Sequence, residues 1–137
     1  MNAIQQYAPV IGRTLLVVIF LTSGIHKIGG FEDSLGYMTS RGMPAPQLFL
    51  VGAIALEIAG SLSVILGYKA RIGAAALIVF TVPTLFVFHN FWTYPPDQAQ
   101  VQFIMFMKNL SMIGGLLLVV AFGSGPKSLD NCHCGKS

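Results

Sequence analysis

Three ionisable residues stand inside stretches otherwise free of charge: Arg13, Glu57 and Lys108, the last followed by Asn109. Glu57 lies in the run GAIALEIAGSLSVILG, Gly52 to Gly67. About ten residues of apolar helix on either side would place its carboxylate roughly 15 Å from water in both directions. At that depth it must be paired or protonated. Ionisable groups inside a membrane span mark a substrate, ion or cofactor pathway by default. The rival reading is structural, with buried charges fixing only the register of the helices. Two other sets of residues bear chemistry. His26, Lys27, His89 and Trp92 gather at the polar or aromatic ends of apolar runs, and Cys132, His133 and Cys134 lie in the terminal DNCHCGKS. Two histidines with no third ligand at usable spacing make no metal site. Thiolates beside an imidazole bind Zn(II) or Cu(I), but three ligands so close cannot close a tetrahedral site alone. The tail therefore reads as an ordinary dithiol segment, with metal capture or thiol exchange as the alternative.

The elements that carry these residues follow from composition. The 137 residues are 54% hydrophobic and only 9% charged, against about 25% charged in a soluble domain. That makes the chain a membrane protein, long enough for about four spans of roughly 20 residues. The predicted fold is all-α, a polytopic membrane four-helix bundle forming a single domain. The predicted spans are about residues 9–28, 46–68, 72–91 and 100–122, followed by a polar, mobile cytoplasmic tail over 123–137. The start, MNAIQQYA, lacks the basic residues of a cleavable signal peptide, and the first apolar run is long enough to span. A net charge of +3 without a basic patch interleaved with aromatics argues against a nucleic-acid partner.

In chain order, span one begins at Pro9, which suits a first helical turn. Its residues Arg13, Phe20 and Lys27, spaced by sevens, share the stripe that faces the bundle. The connection from Gly29 to Ala45 holds enough apolar residues for a short amphipathic helix at the membrane surface. In span two, Ala53, Gly60 and Ser61 share the Glu57 face, and small residues let helices approach closely. Span three contains Pro83, which frees a carbonyl and tends to kink the helix. It ends in an aromatic belt from Phe86 to Tyr94. Lys69, Arg71, Lys127 and Lys136, with Arg13 close by, stand on one side of the spans, and Lys27 and Arg41 on the other. The excess marks the cytoplasmic side, so both termini are expected there.

Height along the helices suggests which charges meet. At 1.5 Å per residue from the outer boundary, Lys27 lies near the surface, Lys108 about 12 Å down, Glu57 about 15 Å and Arg13 about 22 Å. Lys108 is therefore the expected partner of Glu57, with Arg13 reaching in along its helix. The expected site is a buried polar cluster of Arg13, Glu57, Lys108 and Asn109. His26, Lys27, His89 and Trp92 are expected at the outer face.

The combination of Arg13, SGIHKIGGF, the acid in LEIAGSLSVILGYKAR, the aromatic HNFW and MKNLSMIGGLLLVVAFGSGPKSLD resembles the DoxX family of small four-helix bacterial membrane proteins. The resemblance runs from about Val10 to Asp130. It implies a multi-pass bacterial inner-membrane protein, with Arg13, Lys27, Glu57, Lys108 and Asn109 as the family's charged and polar positions. Some relatives are linked to sulfur and thiol redox chemistry, as a thiosulfate:quinone oxidoreductase subunit or as the membrane part of an oxidant-defence complex. The cysteine tail follows the family-like SLD ending as an addition, and the chain lacks the intramembrane cysteine pair of a quinone-using thiol oxidase.

Two classes of function follow. In one, the protein is the membrane component of a redox or sulfur/thiol-stress system. Its charged cluster then holds a quinone or a small oxyanion, and a redox-protein partner handles the electrons. In the other, it is a non-enzymatic bundle, transporter-like or an assembly scaffold. The expected surroundings are the lipid bilayer and either that partner or further copies of the chain.

Overall fold

The computed structural model describes residues 1–134, with side chains described as far as Cys132; the side chains of His133 and Cys134, and hence the metal or thiol reading of the tail, lie outside the described residues. Six α-helices and one 3-10 turn follow in order: α1 (Ala3–Gly29), α2 (Phe31–Ser40), α3 (Pro46–Leu66), α4 (Ala70–Phe88), the turn Phe91–Thr93, α5 (Pro96–Phe122) and α6 (Leu129–Cys134). No strand occurs among the described residues. Helices α1, α3 and α5 are each long and apolar enough to cross a membrane, as is the segment Ala70–Thr93 that contains α4. The protein is thus an all-α polytopic membrane bundle, with α2 as a short helix at one end.

Local chemistry sets the helix ends. α1 starts six residues before Pro9 because Asn2 and Gln5 form a reciprocal cap, Gln5 N–H to Asn2 Oδ1 at 2.9 Å and Asn2 N–H to Gln5 Oε1 at 3.1 Å. Pro9 therefore lies inside the helix rather than at its first turn. α3 opens on Pro46 and closes on Gly67, which adopts a left-handed conformation with φ 65°. α5 likewise opens on Pro96.

α1 packs on α3, α3 on α4 and α4 on α5, while α1 and α5 meet only briefly. The closest approaches use glycine. A Cβ on Gly73 would lie 2.5 Å from Ser63 Oγ and 3.0 Å from the Gly60 carbonyl oxygen, so α3 and α4 nearly touch backbone to backbone there. The core runs through this end of the bundle as Val17, Phe20, Val64, Ala74, Leu77 and Leu116. Towards the α2 end the helices diverge around a cavity.

The segment after α5 is docked, in contrast to the mobile tail expected from its polarity. Arg13, only 6% exposed, donates from Nη1 to the Ser124 carbonyl, from Nη2 to the Lys127 carbonyl at 2.7 Å and from Nε to the Ile65 carbonyl at 3.2 Å. Asp130 accepts from the backbone N–H groups of Lys69 at 2.7 Å and Ala70 at 3.1 Å. It thereby caps the start of α4, which has no side-chain cap of its own. Polar composition concealed this because the contacts are largely to backbone.

Candidate functional site

The Glu57 carboxylate, 2% exposed, is paired with Lys27, whose Nζ lies 2.9 Å from Oε2 and 3.1 Å from Oε1. The third Lys27 proton goes to Ser23 Oγ at 2.6 Å. The helices bring the pair together through Gly24, where an added Cβ would lie 3.3 Å from the Glu57 Cβ and 2.8 Å from Ile58 Cγ1. A larger residue there would hold α1 off α3. The expected faces are present: Ala53, Glu57, Gly60 and Ser61 are all buried on α3, as are Arg13 and Phe20 on α1.

The four expected cluster members do not form one cluster. Arg13 is bound to the tail and the end of α3, at the far end of the bundle from Lys27. Lys108 is exposed, and its Nζ lies 3.2 Å from the Met105 sulfur rather than on Glu57. The physical reason is the lean of helical side chains towards the start of their own helix. α1 and α5 run in opposite directions, so Lys27 drops into the bundle while Lys108 rises towards the α2 end. Glu57, on α3, leans the same way as Lys108 and so meets the descending Lys27. Arg13 leans away from them all, towards the tail. Sequence places Lys27 at the surface and not as the partner, because height along a helix locates backbones and not side-chain charges.

Glu57, Lys27, Lys108 and Asn109 nevertheless all line one cavity of about 620 Å³. Its other walls are mainly apolar, with Phe20, Leu50, Phe80 and Met112 among them, and Tyr37, Met38 and Phe88 stand at the α2 end. Leu48, Phe49 and Val79 line it and are also exposed, so the space opens sideways between α3 and α4. Pro83, which has no N–H to give to the Val79 carbonyl, lies on that opening. His89 joins the wall, held by Gln102 Oε1 at 2.9 Å from Nδ1. His26 and Trp92 are exposed and lie outside this cavity, although His26 lines a more open hollow beside Lys27. A cation at membrane depth costs about 2.5 kcal/mol or more before it is paired, and Lys27 already has three acceptors. Lys108 is thus the amine in this wall that has donor capacity left for a ligand oxygen.

The α2 end is held by Arg41, which closes α2. Its Nη2 donates to the Val87 carbonyl at 2.9 Å and to Asn90 Oδ1 at 2.8 Å, and its guanidinium lies 5.0 Å from the Tyr94 ring centre. Tyr94 in turn donates to the Phe88 carbonyl at 3.0 Å, so two orphan carbonyls at the end of α4 are satisfied. Tyr37 stacks on Phe88 at 5.5 Å. Burial and the Tyr94 hydroxyl together push the Tyr37 phenol above its usual range, against the pull of Arg41. No group of three or more metal-ligating side chains occurs among the described residues.

Membrane-length helices around a laterally open cavity with a buried ion pair define a small polytopic membrane bundle with a ligand-sized interior. The chain belongs to the DoxX family, whose model matches residues 8–90. It is 34% identical over 120 residues to inner membrane protein YphA of Escherichia coli (strain K12), covering 88% of this chain and 86% of that one. It is 35% identical over 130 residues to inner membrane protein YqjF of the same organism, covering 95% of each. A Surfeit locus protein 4 homolog of Drosophila melanogaster is 30% identical over 132 residues, which is 94% of this chain and 42% of that protein. No solved structure matches the chain.

Proposed function

We propose that this protein is a multi-pass inner-membrane component of a redox or thiol-stress system, and that it binds a quinone head group in the cavity beside Glu57. The observation that carries this reading is the asymmetry of the cavity. Its walls are chiefly apolar, while Lys108 and Asn109 stand together as donors for a carbonyl oxygen. A small oxyanion alone would leave most of the 620 Å³ without a partner, so the quinone is favoured over it. A redox-protein partner then handles the electrons, and further copies of the chain are the alternative neighbours. The names of the bacterial relatives support the inner membrane, and the excess of Lys and Arg at the Arg13 end supports cytoplasmic termini. A non-enzymatic carrier is the second reading, favoured by the sideways opening between α3 and α4.

Native mass spectrometry of gently solubilised protein, followed by solvent extraction and absorbance of the extract, tests the proposal. A quinone retained by the wild type and lost from Lys108→Met with Asn109→Leu is the expected result. Protein that purifies empty, and stays empty when quinone is added back, overturns it.

A further inference from the structure

We infer that the ligand of this cavity bears one negative charge on its head group, held at Lys108, and that its apolar body leaves the bundle between the α2-end halves of α3 and α4. The inference rests on the ligand-binding reading above and sharpens its chemistry. Three side chains lining the cavity carry formal charge at neutral pH: Lys27, Glu57 and Lys108. Lys27 and Glu57 cancel, and every Lys27 proton is already committed, two to the carboxylate oxygens and one to Ser23. One positive charge remains, on an amine whose closest acceptor is the weakly accepting Met105 sulfur. Lys108 is also the thirteenth of the 27 residues of α5, far from either helix end. From that backbone position the side chain rises along the cavity wall towards the α2 end, and a cation with donor capacity left beside an apolar space matches an ionised oxygen better than a neutral carbonyl.

The route for the rest of the ligand is set by shape. α3 and α4 touch at Gly60 and Gly73 but part towards the α2 end, where the cavity reaches exposed Leu48, Phe49 and Val79. Gly52 lies on this side, lines the cavity, and has nothing within 4 Å of where a Cβ would stand. A chain leaving there passes directly into lipid. The shared chemistry is therefore a single ionised oxygen on an apolar body, supplied either by an acidic quinone or by a long-chain carboxylate.

The test uses purified protein in lipid nanodiscs at neutral pH. The probes are 2-hydroxy-3-undecyl-1,4-naphthoquinone, which is ionised, its neutral 2-methyl counterpart, and palmitate. Isothermal titration should show the ionised quinone binding about tenfold or more tightly than the neutral one. That preference should vanish in Lys108→Met and persist in Lys108→Arg, with thermal unfolding confirming that both variants are folded. Palmitate binding more tightly than either quinone, with the same dependence on Lys108, would support the charge and identify the carboxylate as its source. Equal or tighter binding of the neutral quinone would overturn the charge inference while leaving the cavity reading intact. No binding of any probe would overturn both. For the exit route, Gly52→Phe should weaken the undecyl compound more than chainless 2-hydroxy-1,4-naphthoquinone. Equal weakening of the two would overturn that route.

Discussion

Both carboxylate oxygens of Glu57 rest on the ammonium of Lys27, at 2.9 and 3.1 Å, although Lys27 stands only two residues before the end of its helix. The acid is buried to 3% side-chain exposure and the amine is 27% exposed, so the pair is lopsided: Glu57 depends on Lys27 for its charge more than Lys27 depends on Glu57. Removing one partner of a buried pair typically costs about 3 to 5 kcal/mol, because the other charge is stranded. Lys27→Met should therefore destabilise the bundle strongly, and Glu57→Gln less, since the exposed amine can turn to water. The double variant Lys27→Met with Glu57→Gln should regain much of the loss. Lys108→Met alone should leave stability nearly unchanged. Thermal unfolding of these variants and of Glu57→Gln with Lys108→Met in detergent checks the pairing; recovery in the Lys108 double variant instead of the Lys27 one would reverse it.

The need of Glu57 for a partner was legible in sequence, as were its small-residue face and the inward stripe of Arg13, Phe20 and Lys27. The partner was not, because a count of 1.5 Å per residue places backbones and not charges. A lysine side chain spans about a helical turn, and its lean reverses sign with the direction of its helix. For Lys27 and Lys108 the two corrections act oppositely, which exchanged their roles. The docked tail was hidden for a different reason. Its Ser124 and Lys127 contacts to Arg13 are made by carbonyl oxygens, which every residue type carries, so side-chain composition held no trace of them.

Arg13 and the tail should act as a unit. Each of the three carbonyls it serves would lose a charged donor in Arg13→Met, and leaving buried acceptors unsatisfied costs about 1 to 3 kcal/mol. Limited proteolysis should then cut between Gly123 and Asp130 at least several-fold faster than in the wild type. Arg13→Lys should rescue little, since one ammonium cannot reproduce the fork. Truncation after Asp130 should leave cutting, insertion and binding unaltered, whereas truncation after Phe122, which removes the docked segment itself, should lower the melting temperature as Arg13→Met does. Equal protection of the segment in the wild type and Arg13→Met, with an unchanged melting temperature after truncation at Phe122, would show that the docking carries no stability.

Gly73 should be the least tolerant of the α3–α4 glycines. An alanine Cβ there meets Ser63 Oγ at 2.5 Å and Ser63 Cβ at 2.7 Å, and Ser63 is tied to the Tyr68 carbonyl at 2.7 Å. The neighbour cannot swing away without breaking that bond. Gly73→Ala should cost about 1 to 3 kcal/mol by overpacking. Gly12→Ala, with nothing within 4 Å, should be neutral or stabilising by up to about 1 kcal/mol. Similar melting temperatures for the two variants would refute the close approach.

With cytoplasmic termini, a reporter active only in the periplasm should be silent when fused after Ser137 and active when inserted in the Thr93 to Ala99 connection. The grouping of Lys69, Arg71 and Lys127 at the Arg13 end is what the expectation rests on. The opposite pattern of activity would invert the bundle and put the cysteine tail in an oxidising compartment.

Asp130 links the docked tail to pH. Burial pushes its carboxyl upward, but this is outweighed by the Ala70 and Lys69 N–H groups, the Ser124 hydroxyl and the charge of Arg13, so the folded pKa lies below the ordinary 3.8. A carboxylate depressed in the folded state contributes stability that is complete above its unfolded pKa and disappears as pH falls through the folded value. The docking should therefore be indifferent to pH from 7 down to about 5 and weaken below about 4, as the cap on α4 becomes protonated. Loss of a helix cap typically costs about 0.5 to 2 kcal/mol. Asp130→Asn should remove the pH dependence and, at neutral pH, show part of the loosening that acid produces in the wild type. Hydrogen exchange at the Lys69 and Ala70 amides, normalised to the intrinsic rate at each pH, measures both. Protection that is the same at pH 3 and pH 6, or a variant as acid-sensitive as the wild type, would show that another group sets the response.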